Sequence, residues 1–306
     1  MPLLYQYKIP DRDAGIAGDK GDWIVQSLAA RVTKASRRLK VADEGPIPPA
    51  SIREWCKNIL GAVHDPAYVH AVAMEPASVF QRAVGDVFAL RRASIQLATT
   101  RRDGSSSRIV GAIGGGMHHA RRTSGRYGST FNGLVVAADY LLGDCDVESE
   151  ARAVLILDLD GSCGGGTAEM IAAMKRVRLV DIAVNERDAY ASTHNSSLQI
   201  VHSAAGYLVA VRSALDSLNV AKERHAMCVY SAGVDGFEGM DGGLRGMTAE
   251  VLAERDRMVF AWCRSMGLRT AYTLGGGQEC GGCSRETLVT LHRQTVEAAA
   301  MEASRK

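Results

Sequence analysis

At 306 residues, with 46% hydrophobic and 23% charged side chains and only 7 prolines, the chain can bury a large core and is too apolar to stay disordered, so one globular unit or at most two is expected. Thirty-six basic against 34 acidic residues leave a formal charge of +2 spread along the chain, which demands no nucleic-acid partner. The 7 cysteines are scattered, the N-terminus has no basic segment feeding an apolar run, and apolar stretches stay well short of the roughly 20 residues that span a bilayer; a cytoplasmic protein with no membrane partner is expected.

Residues 1–50 are mixed in character and end in the turn-rich Asp43-Glu-Gly-Pro-Ile-Pro-Pro49. They read as an N-terminal extension packed on a main domain of residues 51–306, which opens with a helix from Ser51 to Leu60. From about Phe80 a repeating order sets in: a short aliphatic or β-branched run, a loop rich in glycine or aspartate, then a helical segment. Strands are expected from Arg108 to Ile113, Ala153 to Leu157, Val177 to Ala183, His225 to Tyr230 and Arg269 to Leu274. Helices are expected from Asn132 to Leu142, Ala168 to Lys175, Tyr207 to Leu218, Thr248 to Met266 and Arg285 to Ala300. Continuous apolar strands, each followed by a helix, are what a parallel sheet covered on both faces requires. The fold class is therefore α/β, an open, mostly parallel sheet with helices on both faces, and its active side is the edge beyond the carboxyl ends of the strands. A TIM barrel would need eight regular strand and helix units, which the first 80 residues do not supply.

Four loops at that edge carry chemistry. Gly114-Gly-Gly-Met-His-His-Ala120 passes three glycines and sets two adjacent imidazoles, His118 and His119, after a strand, as proton-transfer groups or as ligands. In Asp158-Leu-Asp-Gly-Ser-Cys163, alternation turns Asp158 and Asp160 to one side, and buried like charges so close need a cation, a proton or several hydrogen bonds. Ser162 continues the alternation, whereas Cys163 points elsewhere unless the loop turns. The following glycines lack the Gly-Lys-Ser or Gly-Lys-Thr ending of a P-loop. Ser231-Ala-Gly-Val-Asp235 sets Asp235 where it can join Asp160 around a divalent metal, while Asp241 reads as a solvated loop residue. Gly275-Gly-Gly-Gln-Glu-Cys-Gly-Gly-Cys283 offers a lid bearing Gln278, with Cys280 and Cys283 at a spacing used by redox pairs and by half of a thiolate metal site.

In this order the loops resemble the histone deacetylase-like amidohydrolase family of the arginase/deacetylase fold. Gly115-Gly-Met-His-His-Ala120 matches its histidine loop, Gly128-Ser-Thr-Phe-Asn132 more loosely its next turn, Asp158 to Thr167 its Asp-x-Asp-x-His-His-Gly-x-Gly-Thr motif, and Ser231 to Asp235 its Ser-Ala-Gly-x-Asp motif. Val63-His-Asp-Pro-Ala-Tyr-Val69 is similar to the family's Val-His-x-x-x-Tyr-Val segment. The resemblance implies zinc on Asp160, Ser162 and Asp235, weakly held because a serine replaces the histidine ligand and only two aspartates remain. It implies proton transfer by His118 and His119, support of one of them by Asp158, and a potassium site near Asp158. The family's catalytic tyrosine falls on Gln278, an amide that still donates a hydrogen bond, and the histidine after the zinc ligand falls on Cys163.

The expected function is a metal-dependent hydrolase cleaving an amide or other C–N bond of a small acylated amine. One alternative is metal-independent acyl chemistry on Cys163, or a thiolate site of Cys163, Cys280 and Cys283. Another is a non-catalytic binding or assembly protein on a deacetylase scaffold. A homo-oligomer is left open.

Overall fold

The computed structural model describes residues 3–7, 16–30, 40–44, 55–99, 108–143, 153–220, 223 and 225–305; residues 45–54, which hold most of the expected turn and the start of the first expected helix, lie outside them. Eight strands form one sheet: β1 (Leu3–Tyr7), β2 (Lys40–Glu44), β3 (Ile109–Ile113), β4 (Ala153–Asp158), β5 (Val177–Ala183), β6 (Ser196–Ile200), β7 (His225–Ser231) and β8 (Arg269–Thr273). Their order is β2-β1-β3-β8-β7-β4-β5-β6, and every neighbouring pair is parallel.

Both faces are covered, which is why the strands read as unbroken apolar runs. Along β4, Leu155 and Leu157 join one core cluster with residues of α1 (Ile16–Ala30), α6 (Ala204–Ser217), α7 (Ala249–Ser265) and α8 (Arg285–Ser304). Val154 and Ile156 join the other, with a wide helical turn (Trp55–Leu60), α2 (Pro66–Ala73), α3 (Ala77–Thr99), α4 (Gly133–Gly143) and α5 (Gly165–Ile171). Among the described residues no helix is long and apolar enough to cross a membrane.

The α/β class expected from the sequence is the fold found, with three differences. The described parts of residues 1–50 enter the sheet itself: β1 hydrogen-bonds to both β2 and β3. Helices α1, α2 and α3 and strand β6 have no counterpart among the expected elements. Helix α5 starts at Gly165, inside the glycine run that reads as a loop, because close packing demands glycine there. A Cβ on Gly165 would sit 2.4 Å from the Asp188 carbonyl oxygen, and one on Gly166 2.5 Å from that of Ala120.

The topology places the site. Strands β4 and β7 are neighbours, yet the chain leaves β4 toward β5 on one side and β7 toward β8 on the other, so their loops part and open a crevice. Asp158 pairs with Ser231 and Ser231 with Thr273, so the three strands finish level. Arg255 of α7, 1% exposed, ties the parted loops together. Its Nη1 donates to the carbonyl of Leu159 at 2.9 Å and to that of Gly233 at 2.7 Å, one residue before Asp160 and two before Asp235 respectively. Asp256 takes the Arg255 Nε–H at 2.8 Å and the Tyr230 hydroxyl at 2.5 Å, so the buried charge is paired.

Candidate active site

The histidine loop is held by a buried polar lattice. The Thr167 amide donates to the His118 carbonyl at 2.9 Å, and Asn132 Nδ2 donates to the Ala120 carbonyl at 3.1 Å. The Asn132 amide donates to His64 Nε2 at 3.0 Å while His64 Nδ1 donates to the Arg121 carbonyl at 2.9 Å. Burial pushes His64 down to about 4, so it stays neutral and serves as a strut. Met117, just before the pair, has a left-handed backbone at φ 54°, an unfavourable conformation that turns both imidazoles into the crevice.

The two rings face each other. Nε2 of His118 lies 3.1 Å from Nε2 of His119, and each ring rests its Nδ1 on its own carboxylate: Asp158 at 2.7 Å and Asp188 at 3.0 Å. Burial works to lower His118, but the charge and hydrogen bond of Asp158, with Asp160 and Asp181 behind it, outweigh this and push it up to about 10. Burial wins at His119, helped by the charge on His118 and opposed by Asp188, so its value falls below the ordinary one. One proton arrangement satisfies both rings: His118 charged, giving Nδ1–H to Asp158 and Nε2–H to His119, and His119 neutral, giving Nδ1–H to Asp188.

Beyond them opens a cavity of about 440 Å³. His118, His119, Asp160, Asp235 and Gln278 line it, together with Lys20, Asp86, Tyr127 and Arg187. Asp160 Oδ1 accepts the amides of Gly161 at 2.8 Å and Asp235 at 3.3 Å, and its Oδ2 is 3.5 Å from His118 Nε2. Burial and then the charge of Asp235 push Asp160 up to about 7. Asp235 Oδ1 accepts the Gly277 amide at 2.6 Å. Gly233 and Gly276 are required here, since a Cβ on either would strike the carboxylate of Asp160 or Asp235.

The family model of the histone deacetylase domain matches residues 24–293, while no individual curated protein matches the chain. The chain belongs to the histone deacetylase domain family. Within that family its site is atypical. The zinc positions implied by the resemblance are Asp160, Ser162 and Asp235, and the donors present do not fit zinc. Ser162 does not line the cavity, and its hydroxyl is engaged 3.2 Å from His119 Nε2. Asp160 and Asp235 each have one oxygen taken by backbone amides, and a hydroxyl is a poor substitute for imidazole. Among the described residues, no three His, Cys, Asp or Glu side chains are arranged to hold a metal ion. Gln278, in the family's tyrosine position, lines the cavity but is exposed at its rim.

The cysteine expectations are corrected by this histone deacetylase-like geometry. Cys163 is fully buried and turned out of the cavity, its Sγ donating to the Asn185 carbonyl at 3.3 Å. Burial, with Asp181 and Asp158 nearby, pushes its thiol up to about 12, which leaves no thiolate to attack a substrate. Cys280 and Cys283 exchange backbone hydrogen bonds, but their thiols point to separate carbonyls, Gly239 at 3.2 Å and Ser284 at 3.7 Å. No thiolate cluster with Cys163 forms.

Sequence reasoning missed Asp188, Lys20 and Asp86. Asp188 lies in the loop after β5, and its other oxygen takes Arg121 Nη2 at 2.5 Å. Only its left-handed backbone, φ 61°, marks it, and nothing in Asn185-Glu-Arg-Asp188 announces that. Lys20 reaches the cavity from α1 and Asp86 from α3, elements that carry no motif.

Proposed function

We propose that the chain hydrolyses the amide, or a related C–N bond, of a small acylated amine, with water as the nucleophile. Membership in the histone deacetylase domain family supports a hydrolase-like activity in general. The observation that carries the finer reading is the pair of facing Nε2 atoms, 3.1 Å apart, each ring backed by its own carboxylate at the mouth of the β4/β7 crevice. Two identical groups whose surroundings drive their pKa values apart are an acid and a base.

With substrate in the cavity, charged His118 turns its Nε2–H from His119 to the leaving amine and gives up that proton, which frees Nε2 of neutral His119 to take the proton of water. Asp188 and Asp158 hold the rings and their tautomers. Asp160 and Asp235 form a polar wall that suits a cationic amine, and a cavity of about 440 Å³ suits a small molecule. No step passes through zinc. Beside Asp158, Asp181 is 1% exposed, and its Oδ2 accepts the Gly164 amide at 2.7 Å. These two residues would hold a monovalent cation such as potassium.

The test is amine release from a panel of acylated amines, among them acetylated lysine and acetylated polyamines. The expected result is turnover by the wild type that falls by about 10²-fold or more in His118→Ala and His119→Ala. Folded wild-type protein that releases amine from every substrate no faster than buffer would refute the reading.

A further inference from the structure

The cavity that lacks a fitting zinc site is not without a cation. Lys20, on α1, lines it, and its Nζ donates to the Gly276 carbonyl at 2.7 Å, which leaves two ammonium N–H groups uncommitted to that bond. Gly276 lies against Asp235: a Cβ there would fall 2.7 Å from that carboxylate. Three carboxylates that share the cavity with Lys20, those of Asp235, Asp86 and Asp160, each favour its charged form against the cost of burial, which lowers it from its ordinary value. Asp86, in turn, is pushed up to about 7 by burial, with Lys20 and Arg82 opposing.

The approach of α1 is close enough for this. Gly21 faces the side chains of Gln6 and Ile113, and a Cβ there would meet them at 3.0 and 3.2 Å. Gln6 is 3% exposed and lines the same wall, with its Nε2 committed to Asp22 at 2.6 Å and its Oε1 without a hydrogen-bond partner. An open acceptor and an ammonium that line one cavity suit a ligand with both a carbonyl oxygen and an N–H or O–H group.

We propose that Lys20, bonded to Gly276 against Asp235, supplies a positive charge in place of a metal ion, and that its ammonium holds the substrate carbonyl oxygen as negative charge develops there. The first half stands on the donor set and the Lys20 geometry; the second rests on the hydrolase reading. Gln278, in the family's tyrosine position, is exposed at the rim, where water weakens it as a donor.

Calorimetric titration with zinc chloride, of the wild type, Lys20→Met, Lys20→Arg and the double variant Lys20→Met/Asp160→Asn, tests the first half. Removing the ammonium takes its charge away from Asp235, Asp86 and Asp160, so Lys20→Met is expected to bind zinc about tenfold more tightly than the wild type or Lys20→Arg, and the double variant to lose that gain. Equal zinc affinity in Lys20→Met and the wild type overturns the proposal. So does one tightly held zinc per wild-type chain that disappears in Asp160→Asn, a measurement that stands even where Lys20→Met does not fold. For the second half, kcat of Lys20→Met is expected to fall by about 10²- to 10³-fold with KM little changed, and Lys20→Arg to recover part of it. Unchanged kcat in Lys20→Met overturns that half. Absence of turnover in the wild type refutes the hydrolase reading and this half with it, and leaves the zinc comparison to decide the first.

Discussion

His118 and His119 are adjacent in sequence, nearly equal in exposure and paired to carboxylates at similar distances, yet they end in opposite protonation states. The difference lies behind the carboxylates. Asp158 is fully buried, and Asp160 and Asp181 behind it also favour the charged form of His118. Asp188 already serves Arg121 at 2.5 Å and lies 3.6 Å from Arg126, so little of its charge is left for His119, which also faces charged His118. The same residue type becomes acid or base according to what its partner must also satisfy.

The largest effect is expected where the comparison is broken outright. His119→Ala removes the ring whose Nε2 is free of a proton, and kcat is expected to fall about 10³-fold, with KM within a few-fold, in steady-state amine release. A fall in kcat/KM that comes from KM alone would make His119 a binding group.

Asp158→Asn should sharpen the comparison by making the two rings alike. Without that charge, burial governs His118 and its value drops from about 10 toward neutrality. The acid is present below its pKa and lost above it, so the alkaline limb of the kcat/KM profile is expected to move down by several pH units. At pH 7 the rate should fall by about 10²-fold. An alkaline limb unmoved in Asp158→Asn would detach it from His118.

How far the sequence discloses this asymmetry follows from where each group sits. Asp158 ends a strand, and Asp160, Asp235, His118 and His119 stand in loops just after strands whose apolar runs and following helices are plain. The sheet and half of the site are therefore legible. Asp188 depends on a left-handed residue in a loop without glycine, and Lys20 on one position of a helix that looks amphipathic whichever face holds the lysine. Strands β1 and β2 are short and lie at one side of the sheet, so their periodicity is lost among polar neighbours. Cys163 shows the opposite error: its neighbours in sequence are site residues, but its Sγ faces Asn185.

Arg121 gives a smaller, signed test. It ties up Asp188 and also reaches Glu169 at 2.7 Å. In Arg121→Met more of the charge of Asp188 falls on His119, with only Arg126 left to share it as a cation, and a nearby positive charge is gone, so both changes raise the His119 pKa. The base is lost as pH falls through that value, and the acid limb is expected to move up by up to about one unit. The rate at pH 7 should fall only a few-fold, and a downward shift would contradict the charge balance drawn for Asp188.

Cys163→Ala should do least. The substitution deletes one sulfur from a fully buried position and one hydrogen bond to the Asn185 carbonyl, at a stability cost of about 1 kcal/mol by denaturant unfolding. Neither loss touches the rings. The catalytic asymmetry between His118 and His119 should persist, with both limbs of the pH profile in place and kcat within about twofold of the wild type. Iodoacetamide should likewise leave activity intact, because burial and the neighbouring carboxylates keep the thiol protonated well above neutral pH. Inactivation by alkylation that Cys163→Ala abolishes would return the chemistry to sulfur and reduce the two histidines to its support.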